Sequence, residues 1–225
     1  MEMSGLRKVD PVKHEQKRGE ILGAAIRCFI KDGFRGASTT DICTEAGISP
    51  GHLYHYFPSK EAIIEAMIDL GLAHAAERFE KILAADDVIE ALLVDIEATS
   101  LRFRPAQALS LDGLAEAARN REFAGILARH SSAVRRMWSD FLRKAQAQGL
   151  VDPGLDPDAT ANILIALIDG SRAMPIRNPK LDIEQSVKHL RTMLVRFLRP
   201  SAAQGTASKP RSQSVNRPLK LVRKR

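Results

Sequence analysis

The sequence lacks any long apolar run. No stretch of its 225 residues approaches the ~20 uninterrupted apolar residues that a membrane helix needs. Its first residues, MEMSGLRKVDPVKHEQKRGE, are too polar to contain the apolar region of a signal peptide. We therefore expect a protein that stays in the cytoplasm and has no membrane partner.

Cysteine is also scarce. The two cysteines, Cys28 and Cys43, fall inside helical patterns and lack the four-ligand Cys/His spacing of a zinc site. We expect both thiols to be reduced and buried, and we expect neither a bound metal nor a cofactor.

Catalytic motifs are absent as well. The sequence contains no G-x-S-x-G, H-E-x-x-H, P-loop or G-x-G-x-x-G motif. The adjacent acids Asp86 and Asp87 stand at a predicted helix start, where capping explains them. An enzyme is one alternative for this chain, and these absences argue against it.

Runs of strand-favouring residues are missing too, whereas Ala, Leu, Glu, Lys and Arg dominate the long periodic segments. An apolar share of 44% is enough to build a core in a chain of this length. The predicted fold class is therefore all-α. The apolar period and the Gly, Pro and Asn breaks predict helices at about 13–32, 39–46, 50–56, 60–84, 87–103, 105–118, 121–148, 157–174 and 182–198.

The net charge of +7 is concentrated in the last 25 residues of the chain. Seven of the 34 basic residues and none of the 27 acidic ones lie beyond residue 200, so residues 1–200 carry 27 of each. Bulk charge therefore does not identify a nucleic-acid-binding surface in the folded part. Because the segment 201–225 has few large hydrophobic residues and no apolar period, we expect a disordered basic tail.

Local signals predict two short helices joined by a tight turn. The stretch STTD at 38–41 has the form of a capping box, and Gly47 ends the helix that follows. Ser49 then caps a third helix with Pro50 at its first position, and Pro58 disfavours helical geometry at the residue before it. This spacing is typical of a helix-turn-helix, whose second helix enters a DNA major groove roughly 12 Å wide.

The second of these short helices is rich in rings. Both tyrosines of the chain, Tyr54 and Tyr56, lie there with His55, and Phe57 follows directly. Hydroxyl and imidazole groups bind phosphates or base edges, which explains such a concentration on a recognition helix. Leu53 and Phe57 are four residues apart, so we expect them to face inward and to have no role at DNA.

From Ile21 to Ala66 the chain reads ILGAAIRCFIKDGFRGASTTDICTEAGISPGHLYHYFPSKEAIIEA and resembles the DNA-binding domain of the TetR family of bacterial transcriptional regulators. Glycines 33 and 47, Ile42, the Leu53-Tyr54-x-Tyr56-Phe57 run and Lys60 stand at the family's spacing. The resemblance implies an N-terminal three-helix helix-turn-helix domain and a C-terminal helical domain for ligand binding and dimerisation. The implied division is a flexible basic arm at 1–12, a DNA-binding domain at 13–59, a regulatory and dimerisation domain at 60–200, and the tail at 201–225.

The resemblance also implies a set of DNA-binding residues. Two lie on the second helix, six line the recognition helix, and a lysine after it holds a phosphate. His52 departs from the small or hydroxylic residue common at its position, so base preference cannot be transferred from a relative. The implied DNA-binding residues are Thr39, Thr40, Pro50, Gly51, His52, Tyr54, His55, Tyr56 and Lys60.

An apolar stripe along 121–148 is interpreted first as core. It also contains Trp138, the only tryptophan, and His130, the only polar member of the stripe. Apolar pockets with a few polar anchors are typical of small-molecule sites. The effector-binding candidates are Phe103, His130, Met137, Trp138 and Phe141.

Two apolar strips on the last two helices suggest a partner subunit. In the TetR family that the chain resembles, these helices pair with their symmetry mates as a four-helix bundle. The alternative is that both strips close the core of a monomer. The interface candidates are Ala161, Leu164, Ile165, Ile168, Leu190, Leu194 and Phe197.

The leading hypothesis is therefore a transcriptional repressor that binds a palindromic operator on double-stranded DNA as a homodimer and that a small-molecule effector releases. An architectural DNA-binding protein without a ligand, which uses the basic tail for affinity that is blind to sequence, is the alternative.

Overall fold

The computed structural model describes residues 10–101 and 104–200. The described residues form helices joined by short connections and contain no strand, which confirms the all-α prediction. The helices are α1 Pro11–Gly36, α2 Thr39–Ala46, α3 Pro50–Tyr56, α4 Lys60–Leu83, α5 Val88–Ile96, α6 Arg104–Ala117, α7 Arg121–Ala147, α8 Pro157–Arg177 and α9 Ile183–Leu198, with a π-helical turn, Glu97–Leu101, directly after α5.

The caps of the helix-turn-helix are those that the sequence predicts. The Ser38 hydroxyl accepts from the Asp41 amide at 3.1 Å, and the Asp41 carboxylate accepts from the Ser38 amide at 2.8 Å. Gly47 adopts the left-handed conformation with φ 62°, and Ser49 caps α3 through the His52 amide. Local side-chain hydrogen bonds therefore fix both ends of the turn.

Two helices extend beyond their predicted ends. α1 continues past Asp32 through a kink at Gly33, where φ is 73° and ψ is 170°, and adds a turn that ends at Gly36. α8 continues through Pro175 to Arg177, although the proline predicted a break. A proline so close to a helix end removes only one backbone hydrogen bond, and its fixed φ is compatible with the helix.

The buried side chains form two hydrophobic clusters. The first joins α1, α2 and α3 to the first turns of α4 and to the start of α7, through Phe123 and Ile126. The second joins the rest of α4 and α7 to α5, α8 and α9. α4 and α7 therefore belong to both clusters, and the first turns of α4, which follow the predicted domain boundary at 59/60, pack with α1, α2 and α3.

Much of the predicted dimer interface is buried within the protomer. Ala161 and Leu164 have no exposed surface, Leu194 is 1% exposed and Ile168 is 7% exposed, all within the core of a single protomer. Ile165, Leu190 and Phe197 are partly buried against the same core. These four side chains have little or no accessible surface to offer a partner, so their assignment to a subunit interface stays a prediction.

Within the described residues, no helix has both the length and the apolar character required to cross a membrane.

Candidate nucleic-acid interface

α3 is a short helix with one firmly buried side. Leu53 has no exposed surface, and Phe57, the residue that ends the helix, is 2% exposed, as predicted. On α2, Ile42 is fully buried and Cys43 is nearly so. These anchors hold the two helices against α1, so the remaining side chains of α3 are presented from a rigid base.

Most of the predicted DNA-binding residues are open to solvent. Thr39 and Tyr56 are half-buried, and Tyr54 is 52% exposed. The exposed members are Thr40, Pro50, Gly51, His52, Tyr54 and His55.

Tyr56 is the centre of a group of rings. The His55 ring stands edge-on to it at 5.3 Å, and the His52 ring lies tilted at 5.4 Å from it. His14, near the start of α1, stacks on the same tyrosine at 4.6 Å with the planes only 29° apart. Three imidazoles thus surround one phenol ring, and one of them, His14, joins α3 to the beginning of α1.

His14 is a residue that the sequence did not predict. Its contact with Tyr56 spans 42 positions, and only the packing of α1 against α3 creates it. Arg18, one turn further along α1, lies over the Phe57 ring with its guanidinium carbon 5.1 Å from the ring centre. The start of α1 therefore adds an imidazole and a guanidinium to the edge of the α3 surface.

Lys60 has partners inside the protein. Its Nζ donates to the carbonyl of Phe34 at 2.8 Å and to the carbonyl of Ala37 at 3.2 Å, both at the end of α1. These carbonyls are the groups that a helix end leaves unsatisfied. A lysine ammonium has three N–H donors, so the predicted phosphate contact stays open for the third one.

The two thiols are free and buried, as the sequence predicts. Burial raises the pKa of the Cys28 thiol, and the nearby carboxylates of Glu45, Asp41 and Asp32 raise it further. Burial alone raises the pKa of the Cys43 thiol. Both side chains are therefore protonated packing groups of the first cluster. The described part of the chain also contains no group of three or more His, Cys, Asp or Glu side chains arranged to hold a metal ion.

Three of the effector-binding candidates, Met137, Trp138 and Phe141, lie in or beside the second cluster. Trp138 and Phe141 are 7% and 2% exposed and pack on Phe79, with ring centres 4.9 and 4.7 Å away. Met137 is partly buried beside them, and Phe103 lies outside the described residues. The two aromatic rings therefore contribute to the core, as the first interpretation of the stripe predicts.

His130 is different from these core residues. It is half-buried on α7, and its Nδ1 has no hydrogen-bond partner in the structure. Burial lowers the pKa of this imidazole, while the carboxylates of Asp69 and Asp169 act in the opposite direction. An unpartnered nitrogen of this kind is a suitable polar anchor for a ligand.

An open groove of about 420 Å³ separates the start of α4 from the start of α7. Its lining is strongly charged and includes Glu61, Glu65, Arg121 and Arg129. Glu65 and Arg129 form an ion pair at 2.6 Å between the two helices. None of the predicted effector-binding residues lines this groove.

Comparison with known proteins gives two family matches that together cover most of the chain. Residues 21–67 match the model of bacterial regulatory proteins of the tetR family, and residues 84–199 match the model of the C-terminal part of BetI-type transcriptional repressors.

Individual relatives agree with these matches. The transcriptional regulator UidR of Escherichia coli K12 is 31% identical over 153 residues, which cover 68% of this chain and 78% of that protein. The transcriptional repressor KstR2 of Mycolicibacterium smegmatis is 29% identical over 151 residues, 66% of this chain and 74% of that one. The solved structure of Salmonella enterica GusR superimposes with a TM-score of 0.67 at 29% identity and covers 86% of this chain and 99% of that one.

The helix-turn-helix geometry, the two family matches and the relatives all lead to one assignment. The chain belongs to the TetR family of bacterial transcriptional regulators, which bind DNA and are not enzymes.

Proposed function

We propose that this regulator is a repressor that binds a palindromic operator as a homodimer and leaves it when a small-molecule effector binds. Repression is supported by the C-terminal family match and by KstR2, both of which carry that description. The observation that carries the DNA contact is the exposed surface of α3, which stands on the buried Leu53 and Phe57 and presents polar rings to solvent.

The predicted DNA-binding residues divide by chemistry. Tyr54 and Lys60 are suited to phosphate, because a phenol and an ammonium donate hydrogen bonds to it. His52 and His55 have ring nitrogens that bind base edges or phosphates. Pro50 and Gly51 carry no long side chain, so the backbone at the start of α3 can approach DNA closely.

Footprinting tests this assignment on the DNA that flanks the protein's own gene. We expect a footprint with sharp boundaries and two-fold symmetry. His52→Ala is expected to change which operator variants are preferred, whereas Tyr54→Phe weakens binding to all of them by a similar factor, since phosphate contacts carry no sequence information directly. A diffuse footprint that covers any duplex equally would favour the architectural alternative.

The proposed dimer surface is the side of α8 that faces away from the core. Its residues recur every three or four positions and are small or apolar, with Ile163 48% exposed and Met174 43% exposed. Small residues allow a second helix to approach closely, and an exposed apolar face indicates a covering partner. The exposed apolar and small residues of this side are Ala159, Ile163, Ala166, Gly170 and Met174.

A pair of substitutions separates this surface from the protomer core. Ile163→Glu places a charge on the exposed side, so we expect a folded monomer that has lost tight operator binding, because a single half-site offers too few contacts. Ile168→Glu places the same charge in the core and is expected to unfold the regulatory half instead. Sedimentation and circular dichroism measure both effects. An Ile163→Glu protein that is still dimeric would contradict the proposed surface.

The effector proposal rests on His130 and on Trp138, which lies about two turns further along α7. A metabolite that binds near His130 is expected to change Trp138 emission at the same concentration at which it releases the operator duplex. The test variant is His130→Leu, which retains an apolar side chain but has no ring nitrogen. We expect it to fold and to bind the duplex, but the metabolite should no longer change Trp138 emission or release the duplex. Release of the duplex from His130→Leu at the parent's metabolite concentration would exclude His130 from the effector site.

A further inference from the structure

The end of α1 contacts the middle of α6. The contact joins two consecutive residues of α1 to two consecutive residues of α6. Because Gly33 leaves the helical conformation, the next amide, that of Phe34, points away from the helix ladder. This amide donates to Oδ2 of Asp112 on α6 at 2.6 Å, across 78 positions of the chain. The Asp112 carboxylate thus accepts a hydrogen bond from the first amide of the last turn of α1.

Both helices use a glycine at this crossing. A Cβ on Gly33 would lie 2.9 Å from Oδ2 of Asp112, a distance that real Cβ atoms do not tolerate. A Cβ on Gly113 would lie 3.4 Å from the ring of Phe34. Gly33 and Phe34 of α1 therefore face Asp112 and Gly113 of α6, and the absence of a side chain on Gly33 leaves room for the Asp112 carboxylate.

Phe34 is bound on its other sides as well. Its carbonyl accepts from Lys60 at the start of α4, and its ring lies 5.0 Å from that of Phe123 on α7. The same ammonium holds Ala37, the residue directly before Ser38, which caps α2. A continuous series of contacts therefore leads from α6 through Phe34 to the start of the helix-turn-helix.

We propose that Asp112 is a positioning residue for DNA binding. Its hydrogen bond to the Phe34 amide fixes the end of α1, and through Phe34 and Lys60 it fixes the start of the helix-turn-helix. This inference rests on the proposed function, in which α3 binds operator DNA.

Two substitutions at Asp112 and one control substitution elsewhere test the positioning role of Asp112. Asp112→Ala removes the acceptor, and Asp112→Asn keeps an oxygen that can accept the same bond without the charge. Glu65→Gln is the control, because the Glu65–Arg129 pair also joins the early part of α4 to the regulatory half but does not contact α1. Each protein is measured for amide hydrogen exchange at residues 34–37, for the denaturation midpoint reported by Trp138 fluorescence, and for affinity to a duplex of the DNA flanking its own gene.

We expect Asp112→Ala to exchange the Phe34 amide faster and to bind the duplex on the order of tenfold more weakly, the scale of losing one charge-assisted hydrogen bond. The Trp138 midpoint stays at the parent value, because Trp138 belongs to the second cluster. Asp112→Asn recovers most of the affinity, and Glu65→Gln behaves like the parent in all three measurements.

Two outcomes overturn the inference. If Asp112→Ala exchanges faster but binds the duplex like the parent, the contact is structural and does not position the recognition helix. If the Asp112 and Glu65 variants lose affinity together with their Trp138 midpoints, the cause is general destabilisation. A parent protein that binds the flanking duplex no better than a random duplex of the same length would instead refute the proposed function, and the positioning role with it.

Discussion

The contact of Lys60 with the end of α1 gives a quantitative prediction. In Lys60→Met the methylene stem remains, and the ammonium that binds the Phe34 and Ala37 carbonyls is lost. A hydrogen bond to a charged group contributes about 1.5–3 kcal/mol where water is excluded. Lys60 is only half-buried and its second bond is the longer one, at 3.2 Å, so water replaces part of the interaction. We expect the free energy of unfolding to fall by about 2 kcal/mol.

Chemical denaturation followed by circular dichroism measures this loss. Lys81→Met is the matched control, because Lys81 is an exposed lysine at the opposite end of the same helix. Two kilocalories per mole is a sizeable share of the roughly 5–15 kcal/mol that stabilise an ordinary domain, so a clear shift in the midpoint is expected for Lys60→Met and none for the control.

The same variant separates the structural role of the ammonium from its predicted phosphate contact. A lost phosphate contact lowers the slope of log affinity against log salt by about 1. If Lys60→Met has the stability of the parent but its salt slope is lower by about 1, the ammonium binds DNA and does not stabilise the end of α1. That result would refute a stabilising role for the hydrogen bonds to the Phe34 and Ala37 carbonyls.

Three further predictions concern residues of α1 and α2. Gly33→Ala is expected to lower the thermal midpoint markedly, because alanine is strained at a φ of 73° and its methyl group would collide with the α6 carboxylate, whereas an unchanged midpoint would mean that the kink is not required. Hydrogen bonds from the Ser38 hydroxyl and amide lower the pKa of Asp41 in the folded protein. The stability that this cap contributes is therefore complete above the pKa of the unfolded state and is lost as the pH falls through the lower folded value. We expect the thermal midpoint of Asp41→Asn to fall less steeply with decreasing pH than that of the parent. Cys28 and Cys43 are buried with raised pKa values, so alkylation at neutral pH is expected to be slow in the native protein and fast in denaturant, and rapid native labelling would show that the cluster opens.

The ends of the helix-turn-helix were predictable because their causes are local. Ser38 and Asp41 cap each other within one turn, and Gly47 and Pro50 restrict their own backbone angles. The direction of Leu53 also follows from helical spacing, since the apolar face of a short helix must pack on its neighbours. These signals need no information from the remainder of the chain.

The apolar strips of α8 and α9 show where such reasoning fails. The period of a strip indicates which side of a helix is apolar, but a protomer core and a subunit interface both require an apolar side. In the structure Leu164 and Leu194 face the core, whereas Ile163, one position before Leu164, is exposed. Only the packing of the neighbouring helices decides which of two apolar positions is left for a partner.

The sequence by itself thus determined the helical class, the turn and caps of the DNA-binding motif, and the set of side chains that α3 presents, because each depends on residues a few positions apart. The tertiary structure decided that His14 stacks on Tyr56, that Lys60 holds the end of α1, and that Asp112 accepts the amide of Phe34. These contacts join residues 23 to 78 positions apart. No periodicity or capping rule relates residues at such separations, and only the packing of whole helices brings their polar groups within bonding distance.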